Sequence, residues 1–212
     1  MTAADLLLAE ELLLLGSRQE DGRLLLDDTV LDHALTGARL AELAISGRVT
    51  VVGGDIQVID QEPVGDEELD RLLVRVQAQS KPRRPVWWVG NRSTTLRPRL
   101  TDRLVARGAL IEQKYRAAGI LPATRYQPEP GMRQSVLDRL TAVADGVTPD
   151  ERTGVLLSLV RACGLDRKLF TAEQRQRIDG VVEDNWAGNA VQVVRAVATT
   201  GTTVATVLTN FP

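Results

Sequence analysis

The chain has 212 residues, of which 43% are hydrophobic and 25% charged, a composition typical of a soluble globular protein. Its one cysteine excludes an internal disulfide and a cysteine-rich zinc site, and its one histidine makes a histidine-based triad or a multi-histidine metal site hard to build. The net charge of −2 hides an uneven distribution, because residues 80–107 carry +7 and the remainder −9.

The first segment, LLLAEELLLL at residues 6–15, predicts a buried helix. A secretory signal needs a basic start and an unbroken apolar run, whereas here Asp5 precedes the run and Glu10 and Glu11 interrupt it. The run is also shorter than the roughly 20 residues that span a membrane. We therefore expect a cytoplasmic protein in which one of the two glutamates caps a helix or is paired inside the fold.

The next segments alternate between helix and hairpin signals. Asp28 predicts the N-cap of a helix through residue 46, and two β-branched runs around Gly53 and Gly54 predict a hairpin. Residues 62–79 then predict an amphipathic helix, which the prolines of SKPRRP (80–85) end.

The second half of the chain repeats this pattern loosely and then becomes helical. Residues 99–127 predict a helix, a glycine stop and two strands, and further helices are predicted with start signals at Ser135, Pro149 and Thr171. Two more apolar segments, at 189–200 and 202–211, complete the chain. We predict one mainly α globular domain over residues 1–212, with short β-hairpins.

No set of residues in this sequence predicts catalysis. VVGGDI matches neither a phosphate loop nor a dinucleotide-binding fingerprint, because no Gly-x-Gly-x-x-Gly opens a helix there. Glu10 and Glu11 are adjacent and would diverge on a helix, while His33 and Cys163 fit structural positions best. We therefore predict a protein that is not an enzyme, with no metal site and no cofactor.

The strongest functional signal is the basic segment of residues 80–107, which contains two tryptophans. A concentration of positive charge on an acidic protein indicates an anionic partner, although a solvated arginine-rich surface is the alternative. Trp87 and Trp88 would face opposite sides of a strand, so we expect one in the core and at most one outside. Tryptophan suits the membrane–water boundary, and nearby cations attract anionic lipids. The eight basic residues are Lys81, Arg83, Arg84, Arg92, Arg97, Arg99, Arg103 and Arg107.

Five motifs, taken in order, resemble the Golgi phosphoprotein 3 family and its bacterial relatives. They cover nearly the whole chain, and the ordered set is more specific than any one of them. The motifs are LLLAEELLLLG (6–16), LTGARLAELAISGRVTV (35–51), VGDEELDRLL (64–73), LRPRLTDRLVARGAL (96–110) and DERTGVLLSLVRACG (150–164).

The resemblance implies a mainly helical domain without catalytic activity, which binds phosphatidylinositol 4-phosphate on membranes and holds client enzymes in place. The family's headgroup pocket uses one tryptophan and three arginines, which fall here on Asp27, Thr36, Thr94 and Arg97, so only Arg97 is retained. We therefore expect charge-dependent binding without preference for phosphatidylinositol 4-phosphate. The candidate headgroup-binding residues are Arg97, Arg99, Arg92, Trp87, Trp88 and Arg84.

The predicted partners are an anionic membrane lipid, phosphoinositides included, a client protein and further copies of the chain. The resemblance implies a hairpin that supports self-association, and the apolar segment YRAAGILPA (115–123) is the candidate. The main alternative is a winged-helix-like nucleic-acid-binding protein, because a helix followed by a hairpin spans Arg97 to Gln127. The acidic net charge makes nucleic acid the less favoured partner, and an enzyme of unknown type is the third alternative.

Overall fold

The computed structural model describes residues 5–91, 93–117 and 120–184, and this part of the chain is mainly helical, as predicted. Two separate antiparallel hairpins accompany the helices. The helices are α1 (Leu8–Gly16), α2 (Asp28–Ile45), α3 (Glu67–Gln77), α4 (Pro85–Gly90), α5 (Leu96–Ala106), α6 (Pro130–Ala144), α7 (Glu151–Ala162), α8 (Asp166–Leu169) and α9 (Ala172–Asp184). The strands are β1 (Val49–Val52), β2 (Asp55–Val58), β3 (Leu110–Ala117) and β4 (Leu121–Pro128).

Three sequence predictions fall outside the described residues. They are the candidate site residue Arg92, the turn at Ala118 and Gly119, and the apolar segments predicted after residue 184.

Helix α1 lies at the centre of the fold, as its sequence predicts. All nine of its residues are buried, and it packs against α2, α5, α6 and α7. Leucine, alanine and glutamate are all strong helix formers, and an all-round apolar helix is stable only when neighbours cover every face. These four helices therefore form a shell around α1.

The two glutamates of α1 are both paired, each with a different part of the shell. Glu10 lies 3.1 Å from Arg103 and 3.1 Å from Arg107, on and just after α5. Glu11 lies 2.8 Å from Arg139 of α6 and 3.6 Å from Arg152 of α7. Burial raises the pKa of Glu11, and the charges of the two arginines oppose that rise. The prediction of an internal pairing is confirmed at both positions.

Helix α2 begins as predicted but uses a different cap. Asp27, not Asp28, is the N-cap, since its side chain accepts a hydrogen bond from the Thr29 backbone N–H at 2.8 Å. Asp28 is instead the first helical residue, and its carboxylate is free to meet a cation from another element. This one-residue shift matters for the site described below.

Both predicted hairpins are present. Gly53 and Gly54 turn between β1 and β2 with φ of 60° and 90°, a left-handed pair that glycine adopts without strain. Strands β3 and β4 pair from Leu110 opposite Pro128 to Ala117 opposite Leu121, so this hairpin is twice as long.

Of the helices after the second hairpin, α6 begins at a different residue from the one predicted. Helix α6 begins at Pro130 rather than at Ser135, because Glu129 caps it by accepting from the Met132 backbone N–H. Proline suits the first helical position, where its missing N–H has no partner to lose.

Helix α7 starts close to the predicted Pro149, with Asp150 as its cap. The predicted capping box at the start of α9 is confirmed. The Gln174 backbone N–H donates to the Thr171 hydroxyl at 3.3 Å, and the Gln174 side chain accepts from the Thr171 backbone N–H at 3.2 Å.

Candidate functional site

The two tryptophans lie on the short helix α4. The strand geometry from which their orientation was argued is therefore wrong. Pro85 at the first helical position and the capping turn at Arg84 start this helix. Adjacent residues of a helix point about 100° apart. Trp88 is therefore buried, with 2% of its surface exposed, while Trp87 is only partly buried. The expectation of one core tryptophan is confirmed, although by helical geometry rather than by strand alternation.

Guanidinium groups cover both indole rings. Arg83 lies over the ring of Trp87 at 5.2 Å, and Arg75 of α3 lies over Trp88 at 5.8 Å. The two rings meet edge to face, with centroids 5.0 Å apart. These contacts fix the position of α4 and keep Arg83 at the surface.

The C-terminal half of the basic segment is paired with carboxylates from other elements. Arg97 lies 2.8 Å from Asp28 and 3.0 Å from Asp32 at the start of α2. The hydrogen bond from Arg97 lowers the pKa of Asp28, so this carboxylate stays ionised at neutral pH.

Arg99 and Arg103 are paired with the start of α3. Arg99 donates two hydrogen bonds to Glu68, at 2.6 and 2.9 Å, and Arg103 donates two to Asp66, at 3.0 and 2.7 Å. Arg107 reaches Glu10, as described above. In the folded chain, carboxylates from distant parts of the sequence therefore neutralise much of the +7 charge of the basic segment.

A cavity of about 690 Å³ surrounds Arg97. It lies between the loop before α2, the first half of α5 and the hairpin β3–β4, and Thr94, Arg97 and Asp28 are among its lining residues. Arg23 and Arg125 also line it, but so do Asp21 and Asp102, so its charges balance. This Arg97 cavity has the size of a small-molecule site without the positive excess that would select a phosphate.

The N-terminal half of the basic segment is different. Lys81, Arg83 and Arg84 are all exposed, and within the described part of the chain no carboxylate forms an ion pair with any of them. Val86, also exposed, and the partly buried Trp87 follow directly on α4. We call Lys81, Arg83 and Arg84 the cationic loop. Among the described residues of the segment, these three carry the charge that is available to a partner.

The tip of the hairpin β3–β4 exposes apolar side chains. Ile120 is 74% exposed and Leu121 62% exposed, and Ile111 and Tyr115 are exposed along β3. Exposed apolar residues in such numbers on one element are typical of a contact surface.

Two further searches cover the described residues only. No group of three or more histidine, cysteine, aspartate or glutamate side chains there could hold a metal ion. None of the helices there is both long and apolar enough to cross a membrane.

Sequence reasoning did not find the carboxylates that neutralise the basic segment. Asp28 and Arg97 are 69 positions apart, and Glu68 and Arg99 are 31 apart, so no local spacing connects them. The acidic start of α3, GDEELD, is visible in the sequence, but acidic residues there indicate a helix start and not a partner on α5. A count of acidic residues at helix N-termini would have been the available signal.

The family model described as Golgi phosphoprotein 3 (GPP34) matches residues 8–197, which is most of the chain. A search of the curated proteins found no match.

Proposed function

Since the chain belongs to the Golgi phosphoprotein 3 family, we propose that it is a non-enzymatic protein that binds anionic membrane surfaces peripherally. The observation that carries this proposal is the cationic loop, three exposed cations without a carboxylate partner among the described residues. Trp87 and Val86 lie directly beside it and can contact the interfacial region of a bilayer.

The expected strength of this contact follows from its charge. Each basic residue near an anionic leaflet contributes about 1 kcal/mol, so the loop contributes about 3 kcal/mol at physiological ionic strength. Exposed charges are screened over about 8 Å under those conditions, so binding depends strongly on salt. Such a contact holds a protein at a membrane reversibly.

Arg97, Arg99 and Arg92 remain candidate headgroup contacts in this proposal. Arg97 and Arg99 have a reduced role, because carboxylates of this chain already pair with them. An incoming phosphate must compete with ionised Asp28 and Asp32 for Arg97, and with Glu68 for Arg99. Trp88 is buried, so its role in this proposal is to hold α4 against the core. Binding is therefore set by the charge of the membrane and is not selective for phosphatidylinositol 4-phosphate.

The first prediction concerns the double variant Arg83→Gln/Arg84→Gln. It removes two exposed cations and should weaken binding to vesicles that contain anionic lipid by about 2 kcal/mol, or roughly thirtyfold. Sedimentation with vesicles of phosphatidylcholine and phosphatidylserine, over a salt series, measures this change. The wild-type affinity should fall steeply as salt rises.

The matched control is Arg167→Gln/Lys168→Gln, which removes two adjacent exposed cations from α8. If both double variants lose binding equally, the cationic loop has no special role. If the wild type ignores anionic vesicles at low salt, the lipid proposal is wrong and a client protein becomes the better partner. A strong preference for phosphatidylinositol 4-phosphate over other lipids of equal charge would contradict the proposed lack of selectivity.

The nucleic-acid alternative has less support from the described residues. In a winged-helix protein the arginines of α5 would contact phosphates, but Arg97, Arg99 and Arg103 all face carboxylates of this chain. A mobility shift with duplex DNA, run over the same salt series, separates this alternative from lipid binding.

We also propose that the chain self-associates through the hairpin β3–β4. The double variant Ile120→Ser/Leu121→Ser should lower the mass measured by light scattering, because it removes the two most exposed apolar side chains of that hairpin. The matched control is Val52→Ser/Ile59→Ser, which removes two exposed apolar residues from the hairpin β1–β2 and its end. An unchanged mass in the first variant, or an equal loss in both, would contradict this interface.

A further inference from the structure

A second cavity, of about 720 Å³, lies between α3 and the start of α5. It shares no lining residue with the Arg97 cavity and is rich in guanidinium groups. Its polar and charged lining residues are Arg39, Arg71, Arg75, Arg99, Ser93, Glu67 and Asp70.

Arg39 is the unusual member of this lining. It comes from the middle of α2 and is only 3% exposed, so most of its guanidinium has left water. Its contact with Glu68 is long, at 3.5 Å, and its Nε has no hydrogen-bond partner in the described part of the chain. A buried guanidinium normally has short hydrogen bonds to compensate for lost hydration.

The shortage arises because two guanidiniums share one carboxylate. Glu68 accepts two short hydrogen bonds from Arg99, and its contact with Arg39 is the longer and weaker one. Burial lowers the pKa of Arg39 to about 10, so it still carries its charge at neutral pH. Burial would raise the pKa of Glu68, but the hydrogen bonds from Arg99 and the charge of Arg39 bring it below its usual value. The pair of arginines therefore has one positive charge in excess.

The other carboxylates of this cavity do not supply the missing charge. Glu67 is paired with Arg71 on the same helix face. Asp70 accepts hydrogen bonds from the backbone N–H groups of Val64 and Gly65, at 2.7 and 3.2 Å. Arg75 lies at the exposed edge of the cavity, over Trp88. The site as a whole keeps a positive excess.

We propose that this second cavity binds an oxyanion of the phosphate class, held by Arg39 and Arg99 with Arg71 and Arg75 at its mouth. Guanidinium groups match the oxygens of a phosphate in geometry and charge, and several converging on one cavity is how proteins select it. The volume also admits an organic group attached to the phosphate. This site goes beyond the proposed membrane contact, since it uses none of the cationic loop and needs no lipid surface.

Isothermal titration of the full chain with inorganic phosphate tests the proposal. The wild type should bind, and Arg39→Met should weaken binding about tenfold or more, because charge-assisted hydrogen bonds are lost. This variant leaves Glu68 paired with Arg99, so no buried carboxylate loses its only partner. Arg75→Gln, at an exposed position, should also weaken binding and covers the case in which Arg39→Met fails to fold. Arg167→Gln, on α8, should bind as the wild type does.

Three results would overturn the proposal. The first is no phosphate binding by the wild type. The second is binding equal to that of the wild type by a folded Arg39→Met or, if Arg39→Met does not fold, by Arg75→Gln. The third is a loss of binding in Arg97→Gln while Arg39→Met and Arg75→Gln bind normally. The last would assign the anion to the Arg97 cavity. Vesicles with phosphatidic acid then separate two sources of the ligand. If these vesicles compete with inorganic phosphate for the cavity, the ligand is a lipid headgroup. If they do not compete, the ligand is a soluble phosphorylated compound. Either result is consistent with a phosphate site in this cavity.

Discussion

The variant Leu12→Asp is expected to unfold under conditions in which the wild type is folded. Leu12 is fully buried on α1, which packs against α2, α5, α6 and α7. Truncating a buried leucine costs about 2–5 kcal/mol, and burying a carboxylate there adds to that cost. The total approaches the 5–15 kcal/mol that stabilises a typical domain. Far-ultraviolet circular dichroism over a urea series measures the loss.

Two controls make this result specific. Leu12→Met keeps the volume of the side chain and should cost less than about 1.5 kcal/mol. Ile59→Asp places the same charge at an exposed apolar position and should leave the unfolding midpoint near that of the wild type. A cooperative transition of Leu12→Asp at the wild-type midpoint would show that α1 is not the centre of the fold.

The parts of the fold that could be predicted from sequence are those that short-range patterns determine. The leucine-rich α1 is apolar on all faces, and such a helix has to be buried. The β-branched runs around Gly53 and Gly54 fit a hairpin, because only glycine adopts both left-handed positions without strain. The amphipathic α3 followed from four apolar residues on one face, all of which are buried.

The strand geometry assumed for the tryptophans of PVWWVG shows where such patterns fail. Four of its six residues, the two valines and the two tryptophans, favour a strand, and the run is too short for periodicity to separate a strand from a helix. The starting proline and the packing of Trp88 against α3 favour one and a half turns of helix instead. Tertiary contacts therefore determine the secondary structure of this segment.

The candidate site was the part least accessible to sequence reasoning. The basic segment was visible as a charge run, but four of its six described arginines pair with carboxylates that lie 31 to 97 positions away. A charge count along the chain cannot include such partners. The second cavity was missed for the same reason, since Arg39 lies on an apolar helix and meets α3 and α5 only in the folded state.

The buried ion pairs lead to the last prediction, that Glu10→Gln lowers the free energy of unfolding by about 3 kcal/mol. The Glu10 carboxylate caps α1 by accepting from the Leu7 backbone N–H at 2.9 Å, and it faces Arg103 and Arg107. Removing one member of a buried pair costs about 3–5 kcal/mol, because the other charge loses its partner.

The lower end of that range applies to Glu10→Gln for two reasons. Both arginines are partly exposed and reach water, and Arg103 keeps Asp66. The glutamine can also still accept from the Leu7 N–H. The matched control is Glu173→Gln, which removes an exposed glutamate paired with Arg177 one turn along α9 and should cost no more than about 0.5 kcal/mol. Urea unfolding of both variants gives the comparison. Equal losses would mean that the pairing of α1 with α5 through Glu10 contributes no more than a surface ion pair.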